Sequence, residues 1–256
     1  FLSFNPPHPP YELVPEKYVR LYEGLREDGR GLLSGKSSAW APHPEGAGDP
    51  VPEGFDRRTA VRQYCGAITG IDENIGRIVS WLKENRLYED TCLMISADHG
   101  DMMGDHQLIS KHIWYEGSVG IPLLICGGGI RPMRTKELVA GEDQAATILG
   151  LLGIPVPACM DGMDFSPLLR GEPFSGHRSV LTMAFPNTGE RIREYEAHGL
   201  NFMDFGWRCV VTERYKLAVN RGQQYGMEPQ TYLYDLEKDP GENRPIDDPE
   251  VMEFMR

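Results

Sequence analysis

Residues 91–129 read TCLMISADHGDMMGDHQLISKHIWYEGSVGIPLLICGGG. Two short apolar runs, TCLMISA and IPLLICGGG, bracket a polar stretch containing Asp98, His99, Asp101, Asp105, His106, Lys111, His112 and Glu116. Continuous apolar runs of this length, bounded by polar residues, fit strands covered on both faces of a parallel sheet. Upstream, Val61, Tyr64, Ile68, Ile71, Ile75, Ile78 and Leu82 recur at three- and four-residue steps, which predicts an amphipathic helix over 57–86 with one buried face. Gly70 and Gly76 weaken that helix slightly. Downstream, Asp143 stands where it can N-cap the helix QAATILGLLG, whose end is marked by Gly153 and Pro155. Helix, strand, loop, strand, helix is the order of a doubly wound α/β sheet, in which ligands bind outside the carboxyl ends of the strands. Asp98 and His99 leave a strand at such an end.

The pattern changes beyond residue 175. SVLTMAF (179–185), WRCVVTE (207–213), YKLAVNR (215–221) and TYLYDLE (231–237) predict a small antiparallel sheet. The chain therefore divides into residues 1–175, a portion of an α/β core with a long Pro/Gly-rich loop at 5–55, and residues 176–256, an antiparallel subdomain whose acidic tail closes in a short helix. Within the long loop one short helix is expected near Glu16–Leu25.

A length of 256 residues with 40% hydrophobic content suffices for one sizeable core. No apolar run approaches the roughly 18 residues of a membrane span. The net charge of −12 and pI near 5.1 give no basic footprint for nucleic acid or an anionic membrane, so an anionic substrate must be drawn in by local positive charge. The five cysteines include no CxxC pair, which suggests neither a disulfide framework nor a zinc knuckle. Cys92 and Cys126 read as small buried hydrophobes. FLSFNPPHPP carries no initiator Met and no leader pattern and reads as the interior of a longer protein. The compartment stays open between cytoplasmic and periplasmic or secreted. GLLSGKS is one residue short of a phosphate-binding P-loop and follows no strand, and DHGDMMGDHQLI lacks the ligand spacing of an EF-hand.

The consecutive Asp98 and His99 offer a hard carboxylate oxygen beside an imidazole, a pairing that suits Ca²⁺, Mn²⁺ or Mg²⁺ when further ligands join it. The plainer alternative is a turn-capping Asp98 and a satisfied core His99. Gly100 is read as letting the backbone turn sharply. Lys111 follows in a polar loop, where its ammonium would make a local anion pocket for sulfate or phosphate oxygens.

The stretch AITGIDENIGRIVSWLKE…YEDTCLMISADHGDMMGDHQLISKHIWYEGSVGIPLLICGGG closely resembles the sulfatase family of the alkaline phosphatase-like superfamily. EDQAATILGLLGIPVPACMDGMDFSPLLRGE, YKLAVNR…TYLYDLEKDPGENRPI and the upstream NPPHPPYELVPEKY resemble further segments of that family, so the likeness covers nearly the whole chain. It implies the C-terminal portion of an alkaline phosphatase-like doubly wound sheet with a small antiparallel β subdomain. It implies that Asp98 and His99 are metal ligands, with Ca²⁺ the first expectation and Mn²⁺ or Mg²⁺ alternatives. Lys111 would bind the substrate's sulfate and stabilise charge on the leaving oxygen, and His8 would hydrogen-bond or protonate that oxygen. His112 joins them as a substrate-binding candidate, although a structural role is the plainer reading for it and for His106. The family often has Asn where this chain has His99, and His also occurs in phosphonate and phosphodiester hydrolases. A phosphonate or phosphate ester hydrolase and a non-catalytic metal- or anion-binding remnant are therefore the alternatives to a sulfatase.

Sulfatases draw their nucleophile, formylglycine, from a C/S-x-P-x-R motif. None of the five cysteines and no serine here begins one. The resemblance thus places formylglycine and further metal-binding Asp residues in a missing N-terminal half, and this chain alone is expected to be inactive. The implied partners are that half and a sulfated small molecule or glycan, with no nucleic acid and no membrane. An exposed sheet edge would favour a homo-oligomer.

Overall fold

The computed structural model of the protein describes residues 1–25, 47–185, 189–222 and 228–255. Much of the Pro/Gly-rich loop, including GLLSGKSS and the start of APHPEGAGDPVPEG, lies outside the described residues. Helix α1 (Glu16–Val19) runs into a 3₁₀ turn at Arg20–Tyr22, the short helix expected there. After strand β1 (Asp49–Pro50), helix α2 spans Arg57–Glu84. It begins where it does because Asp56 caps it, Oδ1 accepting the Thr59 N–H at 3.1 Å and Oδ2 the Thr59 hydroxyl at 2.6 Å.

α2 buries Ala60, Val61, Gly66, Ala67 and Leu82. Ile68, expected on the buried stripe, is 45% exposed. The contact face runs instead through the small residues because α1 packs there: a Cβ at Gly66 would lie 3.2 Å from both Val19 N and Val14 Cγ1, and one at Gly70 would lie 3.1 Å from Tyr18 Cε2. Each glycine costs about 1 kcal/mol of helix propensity relative to Ala, and close approach of the α1 backbone offsets it. Tyr18 donates to Glu73 at 2.7 Å, and the Tyr22 and Thr69 hydroxyls bond at 2.6 Å, closing the same contact.

Strand β2 (Cys92–Ser96) is followed by the two-residue β3 (Leu108–Ile109), the single-turn helix α3 (Glu116–Val119) and β4 (Leu123–Gly127). β1 pairs with β3, and β2 pairs with β4, Cys92 opposite Gly127 and Ser96 opposite Leu123. Both pairs are antiparallel, which corrects the parallel arrangement expected from the apolar runs. Residues 97–122 contain no helix long enough to carry the chain over the sheet, so it returns alongside β2 in the opposite sense. Hydrophobicity reports burial, not strand sense. Cover on both faces is also not observed in this chain: Leu124 is 57% exposed, and Cys92, at the strand's start, is exposed rather than buried, with Cys126 half-buried. Among the described residues no further strand joins either edge of this pair, and no helix is long and apolar enough to cross a membrane.

Helix α4 (Asp143–Leu151) starts at Asp143 rather than being capped by it. The carboxylate turns inward instead, accepting the Ala140 and Met163 N–H groups at 2.7 Å each and meeting His177 Nε2 at 2.8 Å. It thereby pins the turns around α4 and α5 (Ser166–Leu169). The C-terminal strands form as the sequence predicts: β5 (Val180–Ala184), then α6 (Gly189–Ala197), β6 (Trp207–Val211), β7 (Tyr215–Asn220) and β8 (Gln230–Asp235) make one antiparallel sheet in chain order. Its faces alternate as a pleated sheet must. Leu217 and Leu233 meet Met255 of α7 (Pro249–Met255), whereas Cys209, Ala218 and Tyr234 join Met102, Leu108, Ile113, Trp114 and Tyr115 in one buried cluster. The C-terminal sheet is thus the floor beneath the polar stretch that links β2 to β4.

Candidate active site

Asp98 and His99 emerge just past the carboxyl end of β2, as the sequence predicts. Asp98 Oδ1 accepts the His99 N–H at 3.0 Å, and its side chain is 87% exposed. His99 Nδ1 lies 2.8 Å from Gly100 O, a carbonyl that can only accept, so Nδ1 carries the proton. Nε2 then keeps its lone pair, and the Lys111 ammonium donates to it at 2.9 Å. Asp98 Oδ2 stands 3.6 Å from the same Nε2. Three residues singled out from sequence therefore converge: an exposed carboxylate, an imidazole whose Nε2 lone pair faces the ammonium, and that ammonium.

The return of Lys111 to His99 depends on Asp101, to which sequence reasoning assigned no role. Asp101 Oδ1 accepts the N–H groups of Met103 (3.1 Å) and Ser110 (2.9 Å), while Met102 N–H reaches Ser110 O at 2.8 Å and Gly104 N–H reaches Leu108 O at 2.7 Å. These bonds fold 101–110 back on itself. Arg57, at the start of α2, anchors the fold with its Nε on Met103 O (2.8 Å) and its Nη2 on Asp105 (2.5 Å). Asp101 Oδ2 accepts the Tyr11 hydroxyl at 2.6 Å. Burial first, and the Asp101 carboxylate second, push the Tyr11 phenol well above its ordinary range. Tyr11 also edges onto Tyr64 of α2, so the segment bearing His8 is fastened both to the helix and to this turn.

The other predicted residues are placed differently. The His8 imidazole is exposed and bonds to Pro9 O at 2.7 Å; it makes no hydrogen bond to Asp98, His99 or Lys111. His112 Nδ1 meets Asp49 Oδ2 at 3.1 Å beside β1, and its carbonyl accepts the Trp207 indole N–H at 2.9 Å. His106 is buried, lies flat on Tyr115 with ring centroids 3.7 Å apart, and donates from Nε2 to Gly241 O at 3.1 Å. Its role is structural.

Burial lowers the His106 pKa from 6.5 to about 4 despite the stabilising Gly241 carbonyl. The folded state therefore needs the neutral ring. Its contribution is complete above pH 6.5 and is lost as pH falls toward 4, a difference of about 3 kcal/mol. His106→Asn, which tolerates the left-handed backbone (φ 53°), should flatten the fall in urea-denaturation stability across that interval. An unchanged slope would assign the acid sensitivity to other groups.

Two donors 3.6 Å apart can be bridged by one divalent cation at ordinary bond lengths, and the ammonium at Nε2 shows that the lone pair accepts a cationic neighbour. Among the described residues no group of three or more His, Cys, Asp or Glu side chains gathers at one point, so these two side chains do not by themselves complete a metal site. A family model described as Sulfatase matches residues 1–154, which include His8, Asp98, His99 and Lys111. The chain belongs to the sulfatase family. A second model, N-sulphoglucosamine sulphohydrolase, C-terminal, matches residues 104–256. The choline-sulfatase of Rhizobium meliloti (strain 1021) is 30% identical over 180 residues, covering 66% of this chain and 35% of that protein. A solved Bacteroides thetaiotaomicron structure, from work on a locus for metabolism of multiple glycosaminoglycans, superposes with a TM-score of 0.80 at 25% identity, covering 99% of this chain and 51% of that one. The phosphonate monoester hydrolase of Agrobacterium radiobacter gives a TM-score of 0.62 at 27% identity, covering 74% and 37%. The chain thus spans between about a third and a half of these proteins' lengths. The chain shares with them the alkaline phosphatase-like α/β fold, and the reaction of its family is the hydrolysis of sulfuric esters.

Proposed function

We propose that this chain supplies the metal-binding and sulfate-binding side of a sulfatase active site, with Asp98 and His99 holding a divalent cation, Ca²⁺ foremost, and Lys111 gripping the sulfate of a sulfated small molecule or glycan. The observation that carries this reading is the 2.9 Å contact of Lys111 Nζ with His99 Nε2, beside the exposed Asp98 carboxylate. An ammonium has three donors, and the one that meets His99 Nε2 here would be freed when a cation takes that lone pair. All three would then be available to the oxygens of an entering sulfate, in a protein otherwise too acidic to attract one. When the ester S–O bond breaks, negative charge gathers on the leaving oxygen, and Lys111 stabilises it there. His8, on the segment that the Tyr11–Asp101 bond fastens to the 101–110 turn, would be the proton donor to that oxygen. Asp98 and His99 would hold the divalent cation, which would supply further positive charge beside the sulfate.

The nucleophile, formylglycine, is assigned to sequence outside residues 1–256, because no C/S-x-P-x-R motif occurs within them. Residues 1–256 alone should therefore leave 4-nitrophenyl sulfate unhydrolysed. The longer enzyme carrying that motif should hydrolyse it, and Asp98→Ala should abolish turnover. Full turnover after Asp98→Ala would overturn the assignment of Asp98. The likeness to the phosphonate monoester hydrolase favours one second reading, a phosphonate or phosphate ester hydrolase built on the same residues. Faster turnover of an aryl phosphate diester than of the sulfate would decide for it.

A further inference from the structure

The DPGEN turn, residues 239–243, enters the resemblance as a motif without chemistry of its own. In the fold its Glu242 is 3% exposed, a burial that carboxylates tolerate only when paired. Oε1 lies 2.7 Å from Lys216 Nζ on β7, and Oε2 accepts the Glu116 N–H at 2.7 Å. Lys216, itself fully buried, donates to Trp114 O at 3.1 Å. One residue earlier, Gly241 O accepts from His106, whose ring lies on Tyr115. The turn therefore grips the chain at residue 106 and again at 114–116, the two ends of the stretch that carries Lys111.

We propose that the Lys216–Glu242 pair, with the Gly241 carbonyl, is a clamp that holds Lys111 against His99, making Lys216 and Glu242 positioning residues for the sulfate-binding lysine. The functional meaning rests on the reading of Lys111 given above. Stability alone gives little reason for such a pair, because well-packed apolar residues in place of a buried ion pair are often neutral or stabilising. What apolar residues do not do is accept the Glu116 N–H and donate to the Trp114 carbonyl. Those two groups fix the exit of the Lys111 stretch, and a rotation there would carry Nζ away from Nε2.

The test uses residues 1–256 without ligand and compares the wild type with the double variant Lys216→Met/Glu242→Leu by amide hydrogen exchange and by imidazole ¹H–¹⁵N spectra. The Cys209, Leu217 and Leu233 amides should exchange as in the wild type. Those of Met102, Gly104 and Ser110, whose hydrogen bonds go to Ser110, Leu108 and Asp101 and not to Lys216 or Glu242, should exchange about tenfold faster or more. The His99 Nε2 resonance should move in the direction that Lys111→Ala moves it. A double variant with an intact sheet, wild-type exchange at 102–110 and an unmoved His99 resonance overturns the clamp. If the double variant loses its sheet, Glu242→Gln is read by the same criteria, and equal loosening of sheet and loop in both variants also overturns it. Sulfate titrated into the wild type tests the underlying reading separately: a Lys111 that takes no part in sulfate binding sinks that reading and leaves the measured clamp standing.

Discussion

Gly100→Ala is expected to destabilise the protein by roughly 3 kcal/mol and to release His99 from Lys111, because the added methyl has nowhere to go. A Cβ at residue 100 would lie 2.2 Å from Gly117 O and 3.3 Å from Gly120 O, and both are backbone atoms that no side-chain rotation can move aside. The same residue donates its N–H to Ser118 O at 2.8 Å, and its carbonyl receives the His99 Nδ1 proton. Relieving the overlap means separating residue 100 from α3, which breaks the first bond and lets the imidazole rotate. Sequence reasoning gave Gly100 the task of a sharp turn, yet it is not among the glycines with positive φ, so its backbone conformation is one that Ala adopts. What demands glycine is space. Urea denaturation and the His99 imidazole spectrum check both halves of the expectation, and an Ala variant of wild-type stability would show that α3 yields easily.

That contrast marks what the sequence can disclose. α2 was legible because its apolar residues recur locally, and the four C-terminal strands because each is a short apolar run between turns. The sense of the β2–β4 pair was not, since the same run suits either direction. Ile68 was misread, and the packing role of Gly66 and Gly70 was not legible, because the face α2 buries is set by α1, which lies about 50 residues earlier in the chain. The site shows the same division. Asp98, His99 and Lys111 lie within one segment and are marked by the family resemblance. Their supports are pairs made by tertiary folding: Tyr11 with Asp101 across 90 residues and Glu242 with Glu116 across 126. No periodicity links such positions, and a buried Lys216 reads from sequence as one more surface charge.

Lys111→Ala should lower kcat/KM for a sulfate ester by about two to three orders of magnitude in the enzyme that carries this chain, the range typical of removing one preorganised charge-stabilising donor. The direction follows from where Nζ stands. It is the cationic group on His99, and the net charge of −12 supplies no general attraction that could replace it. If Lys111 only held the substrate, KM would rise and kcat would stay; if it also meets the charge that develops on the leaving oxygen, kcat must fall as well. Both changes are expected. Lys111→Arg should recover little of the loss, because a planar guanidinium fixes its donors in a fork and does not reproduce the compact ammonium's three rotatable donors on a tetrahedral anion. Full activity in the Arg variant would mean that positive charge alone suffices, whatever the geometry of its donors.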